Sequence, residues 1–134
     1  MTPEALAHLH ARASDSPWSV DSFASQLADK STFLTIEPNA FALGRATLDE
    51  AELLQIATDP DHQRKGHGHR VLAAFEIQAK FVGCTRSFLE VAQSNVPAIA
   101  LYASCGWVQD GRRSKYYTRP NGQREDALLM SKTL

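Results

Sequence analysis

Four groups of residues in this chain could do chemistry. The first is the run Gln63-Arg64-Lys65-Gly66-His67-Gly68, which follows an apolar strand pattern and opens a helix pattern. It has the form Gln-x-x-Gly-x-Gly. Glycines let the backbone approach a ligand closely, and successive N–H groups at a helix N-terminus form a cradle for a pyrophosphate. Arg64 and Lys65 add formal positive charge at the same place. The same letters also fit an ordinary turn into a helix. The second group is Glu90, alone in the apolar run Phe88-Leu89-Glu90-Val91. Burial there would disfavour its charged form and raise its basicity toward that of a useful general base. Simple strand alternation would instead turn it to solvent. The third is the pair Asn95 and Tyr102, seven residues apart and so on one face of a helix. Asn95 also suits a helix cap, and Tyr102 a core aromatic. The fourth is the cluster His62, His67 and His69, close enough to suggest a metal. No carboxylate or thiolate joins them at a defined spacing, so a phosphate loop explains them more simply and no metal is expected.

These residues need elements to hold them. Pro3–Ala13 reads as a helix with Leu6 and Leu9 on one side, broken by Asp15-Ser16-Pro17. A second helix follows Trp18, with Val20, Phe23, Ala24 and Leu27 at helical spacing. Thr32–Glu37 and residues 41–47 read as strands around the turn Pro38-Asn39, and residues 51–57 as a third, ending at Asp59-Pro60-Asp61. After the glycines, Leu72, Phe75, Ala79 and Val82 are spaced 3, 4 and 3, and Gly83 suits a C-terminal cap. Residues 87–92 form a strand. Ser94-Asn95 caps a helix with Pro97 in its first turn, running over residues 98–104 until Gly106. Trp107-Val108 starts another strand, and residues 115–119 and 126–130 flank the hairpin signal Pro120-Asn121-Gly122. The pattern is an α/β (α+β) mixture with a mixed sheet.

Composition bounds the answer. A chain of 134 residues fits one domain, residues 1–134, with a core of its own. Hydrophobic content of 43% and charged content of 22% are those of an ordinary globular protein. A net charge of −1 gives no general attraction to nucleic acid or to a membrane surface. The N-terminus lacks a signal-peptide layout, and no stretch is long and apolar enough to span a bilayer. Cys84 and Cys105 carry no paired-motif spacing and read as reduced core thiols in a cytoplasmic protein.

Residues 54–68, LQIATDPDHQRKGHG, resemble the acetyl-CoA-binding motif of the GNAT N-acetyltransferases. Leu89-Glu90-Val91, Ser94-Asn95, residues 98–102 and Cys105-Gly106-Trp107 resemble the second half of that fold. Within the family the likeness is to the RimI type, carried by Pro17-Trp18-Ser19, by Arg112-Arg113-x-x-Tyr116-Tyr117 and by Glu125-Asp126-Ala127. It covers about residues 16–130. Three departures stand out: the family's first strand is missing or shortened, His67 and His69 occupy the glycine loop, and Gln93 stands where a basic residue is frequent.

The resemblance implies a GNAT fold, a central mixed and mostly antiparallel sheet flanked by helices. It implies acetyl-CoA as co-substrate and an acetyl transfer to the N-terminal α-amine of a protein, a ribosomal one with a small first residue. Such a transfer needs a neutral amine, a polarised thioester carbonyl and a proton for the departing thiolate. By resemblance Glu90 is the general base, directly or through water. Tyr102 is the general acid, a phenol of pKa near 10 facing a thiolate nearer 8.5. The cofactor contacts would be the backbone of Ile56, Ala57 and Thr58, the loop Gln63, Arg64, Lys65, Gly66, His67, Gly68 and His69, together with Asn95 and Tyr102. Trp18, Tyr116 and Tyr117 would line the acceptor groove. Acceptors of a monomer or weak dimer of this kind would be peptide N-termini or, alternatively, small-molecule amines. A non-catalytic CoA-binding module is the reading from another class, yet it would not need Glu90 and Tyr102.

Overall fold

The computed structural model describes residues 1–134. Its elements are helices α1 (Pro3–Ala13) and α2 (Val20–Ala28), strands β1 (Thr32–Glu37), β2 (Ala40–Thr47) and β3 (Glu50–Thr58), helix α3 (His67–Phe81), strand β4 (Arg86–Ala92), helix α4 (Val96–Ser104), and strands β5 (Val108–Thr118) and β6 (Arg124–Thr133). The sheet order is β1-β2-β3-β4-β6-β5, and only β3 and β4 run parallel. The first element is α1, and β1 is one edge of the sheet.

Strand alternation feeds two cores, one on each face. In β2, Ala40 and Ala42 pack with Leu72, Phe75 and Ala79 of α3, while Phe41 and Leu43 pack with Leu6, Leu9 and Phe23 of α1 and α2. The smallest residues of β2 face the largest helix, where Gly44 is also forced: a Cβ there would lie 2.5 Å from the Phe75 ring.

In β3 the alternation is interrupted. Leu43 pairs with Gln55 and Gly44 with Leu53, so Leu54 is an extra residue, a β-bulge. Its consequence is visible in the cores. Leu53 and Ile56 join the α3 side, whereas Leu54 and Ala57 join the α1 side. The bulge bends β3 just where it must leave its parallel neighbour.

One sequence expectation changes. The stretches at Trp107-Val108 and at residues 115–119 belong to one strand, β5, in which the register slips between Arg113 and Tyr117 and Lys115 adopts φ +50°. Mostly exposed on both sides, this edge strand has no apolar alternation to show its continuity. Helix α3 closes at Val82, and Gly83 follows in the left-handed conformation at φ +97°.

Candidate functional site

β3 and β4 pair only at Glu50↔Arg86, Ala51↔Ser87 and Glu52↔Phe88. Beyond Glu52 they part, so backbone groups of β3 and β4 that would have bonded across the pair face an open cleft. The cleft continues as a groove of about 1300 Å³. Its walls are β3 from Leu53 to Thr58, β4 from Leu89 to Ala92, the glycine loop, α4, the α1–α2 connection and the β5–β6 turn.

At one end lies the loop before α3. Arg64 and Gly66 both have positive φ, +64° and +83°. Gly66 is the N-cap of α3 and makes no side-chain cap bond, and the first turn holds no acidic residue. Its free N–H groups and the helix dipole together make an anion site. Gly68 lies beside α4: a Cβ there would stand in ordinary contact, 3.4 Å from Leu101 Cδ2 and 3.8 Å from Thr58 Oγ1. Arg70 braces the loop by donating to the Lys65 carbonyl at 3.2 Å and meeting His67 Nδ1 at 2.8 Å. These features fit the pyrophosphate end of a nucleotide-bearing ligand, and the bare edge of β3 fits an amide-containing arm.

The preceding turn is clamped from outside. Asp59 accepts the Asp61 N–H at 2.9 Å and caps a 3₁₀ turn at Pro60–His62. Arg12 of α1 then bridges Asp59 at 2.7 Å and Asp61 at 2.8 Å. The Asp61 N–H first, and the Arg12 guanidinium with it, hold the Asp59 carboxyl below the usual carboxylate range.

Glu90 and Tyr102 reach the cleft from different sides. Leu89 and Val91 enter the α3-side core, so alternation places Glu90 on the opposite face, where it is half-buried in the groove. Its setting departs from the sequence expectation of a carboxylate isolated among apolar side chains. Its Oε1 is paired with Arg113 Nε at 2.9 Å. Tyr102 is 5% exposed and packs against Trp107 in the α3-side core, with its ring also lining the groove. Burial, with a smaller contribution from Tyr117, pushes its phenol well above the usual value. It is therefore a neutral hydrogen-bond donor at any working pH. Helix α4 is fixed at both ends: Asn95 accepts the Ala98 N–H at 3.3 Å, and Lys132 bonds the Cys105 carbonyl and Glu76, each at 2.6 Å.

Tyr117 lines the same groove. Burial, then the Glu90 charge, raises its phenol, and Tyr117 in turn raises Tyr102. Of the residues expected from sequence, Trp18, Ile56, Ala57, Thr58, Gln63, Arg64, Gly66, Gly68, His69, Glu90, Asn95, Tyr102 and Tyr117 all line the groove. Lys65, His67 and Tyr116 lie outside its lining. Tyr116 is exposed, edge-on to Tyr117 and beneath the Arg113 guanidinium. The histidines do not converge on one point: the His62 and His67 rings are edge-on with centroids 6.2 Å apart, and His69 Nε2 meets Ser104 Oγ at 3.1 Å. No group of three His, Cys, Asp or Glu side chains is arranged to hold a metal.

Sequence reasoning missed His10, Asp15, Arg119 and Glu125, which also line the groove. Arg119 joins its two walls, pairing with Asp15 of the α1–α2 connection at 3.0 Å and with Glu125 of β6 at 3.3 Å. Glu125 also accepts from Ser94 Oγ at 3.0 Å. His10 had a local signal, since it continues the Leu6 and Leu9 stripe of α1.

Comparison with known proteins agrees with this geometry. Residues 4–107 match the model of the acetyltransferase (GNAT) family. The chain is 39% identical over 131 residues to the [ribosomal protein bS18]-alanine N-acetyltransferase of Escherichia coli K12, covering 95% of this chain and 88% of that protein. The crystal structure of the ribosomal-protein-S18-alanine N-acetyltransferase from Escherichia coli superposes with a TM-score of 0.87 at 38% identity, over 98% of this chain and 86% of the other. A Bacillus subtilis acetyltransferase in complex with CoA shares the fold with a TM-score of 0.78 at 18% identity, over 98% and 92% of the two chains.

Proposed function

This chain belongs to the GNAT family of acetyltransferases and is of the RimI type, and from that premise we propose that it acetylates the N-terminal α-amine of a ribosomal protein beginning with a small residue. The observation that carries the reading is the parting of β3 and β4 at Glu52, which opens one groove between Glu90 on one sheet face and Tyr102 on the other.

Acetyl-CoA supplies an activated acetyl thioester. The loop at Arg64, Gly66 and Gly68 and the α3 N-terminus would hold its pyrophosphate, and the unpaired edge at Ile56, Ala57 and Thr58 its amide-bearing arm. Asn95, at the α4 N-terminus, closes the same wall. Glu90 accepts the proton that the incoming amine must lose. Tyr102, neutral and donating, serves the sulfur as it gains charge.

The acceptor enters between Trp18 and Tyr117, which stand on the two walls that Arg119 joins. An α-amine suits such a site better than a lysine does. Its ordinary pKa is near 8 against roughly 10.4, so far more of it is neutral at pH 7. A peptide also brings backbone groups for the exposed strand edges and for the Tyr117 hydroxyl.

Mass spectrometry of a panel tests this directly. The panel holds a ribosomal-type peptide with a free alanine N-terminus, its N-terminally blocked form carrying an internal lysine, and small amines. Acetylation confined to the free α-amine is expected. Turnover of the small amines alone would overturn the acceptor assignment while leaving the family intact.

A further inference from the structure

His10 is 3% exposed, and the mechanism above gives it no task. Its Nδ1 accepts the Trp18 backbone N–H at 3.0 Å. Its ring stands edge-on to Phe23 of α2, centroids 5.6 Å apart, and to Phe41 of β2, 6.2 Å apart. Gln55 of β3, the residue before the edge expected to hold the acetyl-CoA arm, lines the same groove. His10 thus ties the Trp18 wall of the acceptor groove to β2, the strand paired with the cofactor strand β3.

We propose that His10 is a positioning residue for the acceptor: as neutral imidazole it sets the Trp18 wall at a fixed distance from the sheet, and protonation releases that wall. The inference rests on Trp18 contacting the acceptor, as proposed above. A protonated Nδ1 is a donor and cannot accept the Trp18 N–H, so the bond is lost and two donors face each other. The groups facing the ring are Phe23 from α2, Phe41 from β2, Gln55 from β3 and the Trp18 amide, with no charged side chain among them. The charges beside it in the chain are committed elsewhere, Arg12 to Asp59 and Asp61, and Asp15 to Arg119. Burial accordingly lowers the His10 pKa below its ordinary 6.5, so the wall is set at neutral pH and released in acid.

Two substitutions separate this role from packing. Asn at position 10 offers an acceptor oxygen near the place of Nδ1 and does not titrate; Phe keeps the aromatic volume and accepts nothing. At pH 7.5, His10→Phe should raise the peptide KM about tenfold, the scale of one hydrogen bond, with acetyl-CoA affinity by calorimetry unchanged. His10→Asn should stay within about threefold of the parent. As pH falls from 7.5 to 4.5, the peptide amine protonates identically for parent and His10→Asn. The ratio of parent to His10→Asn peptide KM should therefore rise in acid through His10 alone. Equal KM for parent and His10→Phe, or equal increases for the Phe and Asn variants, would overturn the proposal. If the Phe variant does not fold, the ratio decides, and a flat ratio is fatal. A parent that turns over no peptide overturns the acceptor assignment and this inference with it, whereas an active parent with a flat ratio overturns this inference alone.

Discussion

Arg113 Nε sits 2.9 Å from Glu90 Oε1, bringing a cation of the edge strand β5 across to the carboxylate at the centre of the cleft. The same guanidinium lies over the Tyr116 ring, 5.4 Å from its centroid. Arg113 thus spends its charge on the proposed base and its flat face on an aromatic of the hairpin, which orients the carboxylate from outside the groove.

Removing the proposed base should be costly to turnover and neutral to the cofactor. Glu90→Gln is expected to lower kcat by about 10² to 10⁴-fold with unchanged acetyl-CoA affinity. Arg113→Leu should lower kcat less, and its effect should vanish in the Glu90→Gln background if it acts only through that carboxylate. A double-mutant cycle measures this coupling. Additive losses would mean that Arg113 works elsewhere, and full activity of Glu90→Gln would make Glu90 structural.

Gly66 carries two burdens that different side chains separate. Its φ of +83° disfavours any Cβ, and valine most of all. The added Cβ would also come 3.0 Å from Arg70 Nη1, the end of a flexible side chain that can move aside. Gly66→Val is expected to weaken acetyl-CoA binding at least tenfold, about 1.4 kcal/mol. Gly66→Asn tolerates the left-handed backbone and should lose less. Calorimetry showing undiminished affinity in a folded valine variant would move the pyrophosphate away from this loop.

Tyr102→Phe should reduce kcat more than it raises the peptide KM if the hydroxyl acts, as proposed, when charge grows on sulfur. The raised phenol pKa also fixes a pH dependence. In the unfolded chain a tyrosine ionises near pH 10. The folded state binds the proton more tightly, so the stability Tyr102 contributes is complete below about pH 10 and is lost as pH rises through its folded-state titration. Thermal melts should hold from pH 8 to 9.5 and fall above 10, and that fall should be shallower in Tyr102→Phe. Loss of acetyl-CoA affinity alone in this variant would mark the hydroxyl as a binding contact.

Legibility in the sequence followed the range of the interaction. Helix α3 was readable because Leu72, Phe75 and Ala79 repeat on one face and Gly83 ends it, all within one segment. Its glycine loop was marked by its immediate neighbours, whereas Glu90 and Tyr102 were singled out through the family resemblance, and both line the groove. The bulge at Leu54 was not readable, because it is defined by what β2 offers opposite it. Nor was the continuity of β5, whose edge position removes the apolar alternation that betrays a strand. Arg113 with Glu90 and Arg119 with Asp15 join elements remote in sequence, and a basic run before two tyrosines says nothing about which carboxylates it will meet.

The Arg119 bridge offers a case where magnitude decides which partner matters. Asp15 has 61% of its side chain exposed, so its bond to Arg119 is a surface pair worth about 0.2–1 kcal/mol. Glu125 is only 15% exposed and depends on Arg119 and on Ser94 Oγ. Asp15→Asn should therefore change the melting temperature by no more than a few degrees. Its effect should appear instead as a higher peptide KM, since the Trp18 connection loses its tie to the hairpin. Added salt should raise the parent's peptide KM toward that of the variant, because a surface pair is screened. Arg119→Leu strands the Glu125 charge and should cost about 1–3 kcal/mol of stability. Equal melting temperatures for the two variants would show that Arg119 contributes to Glu125 no more than it does to Asp15.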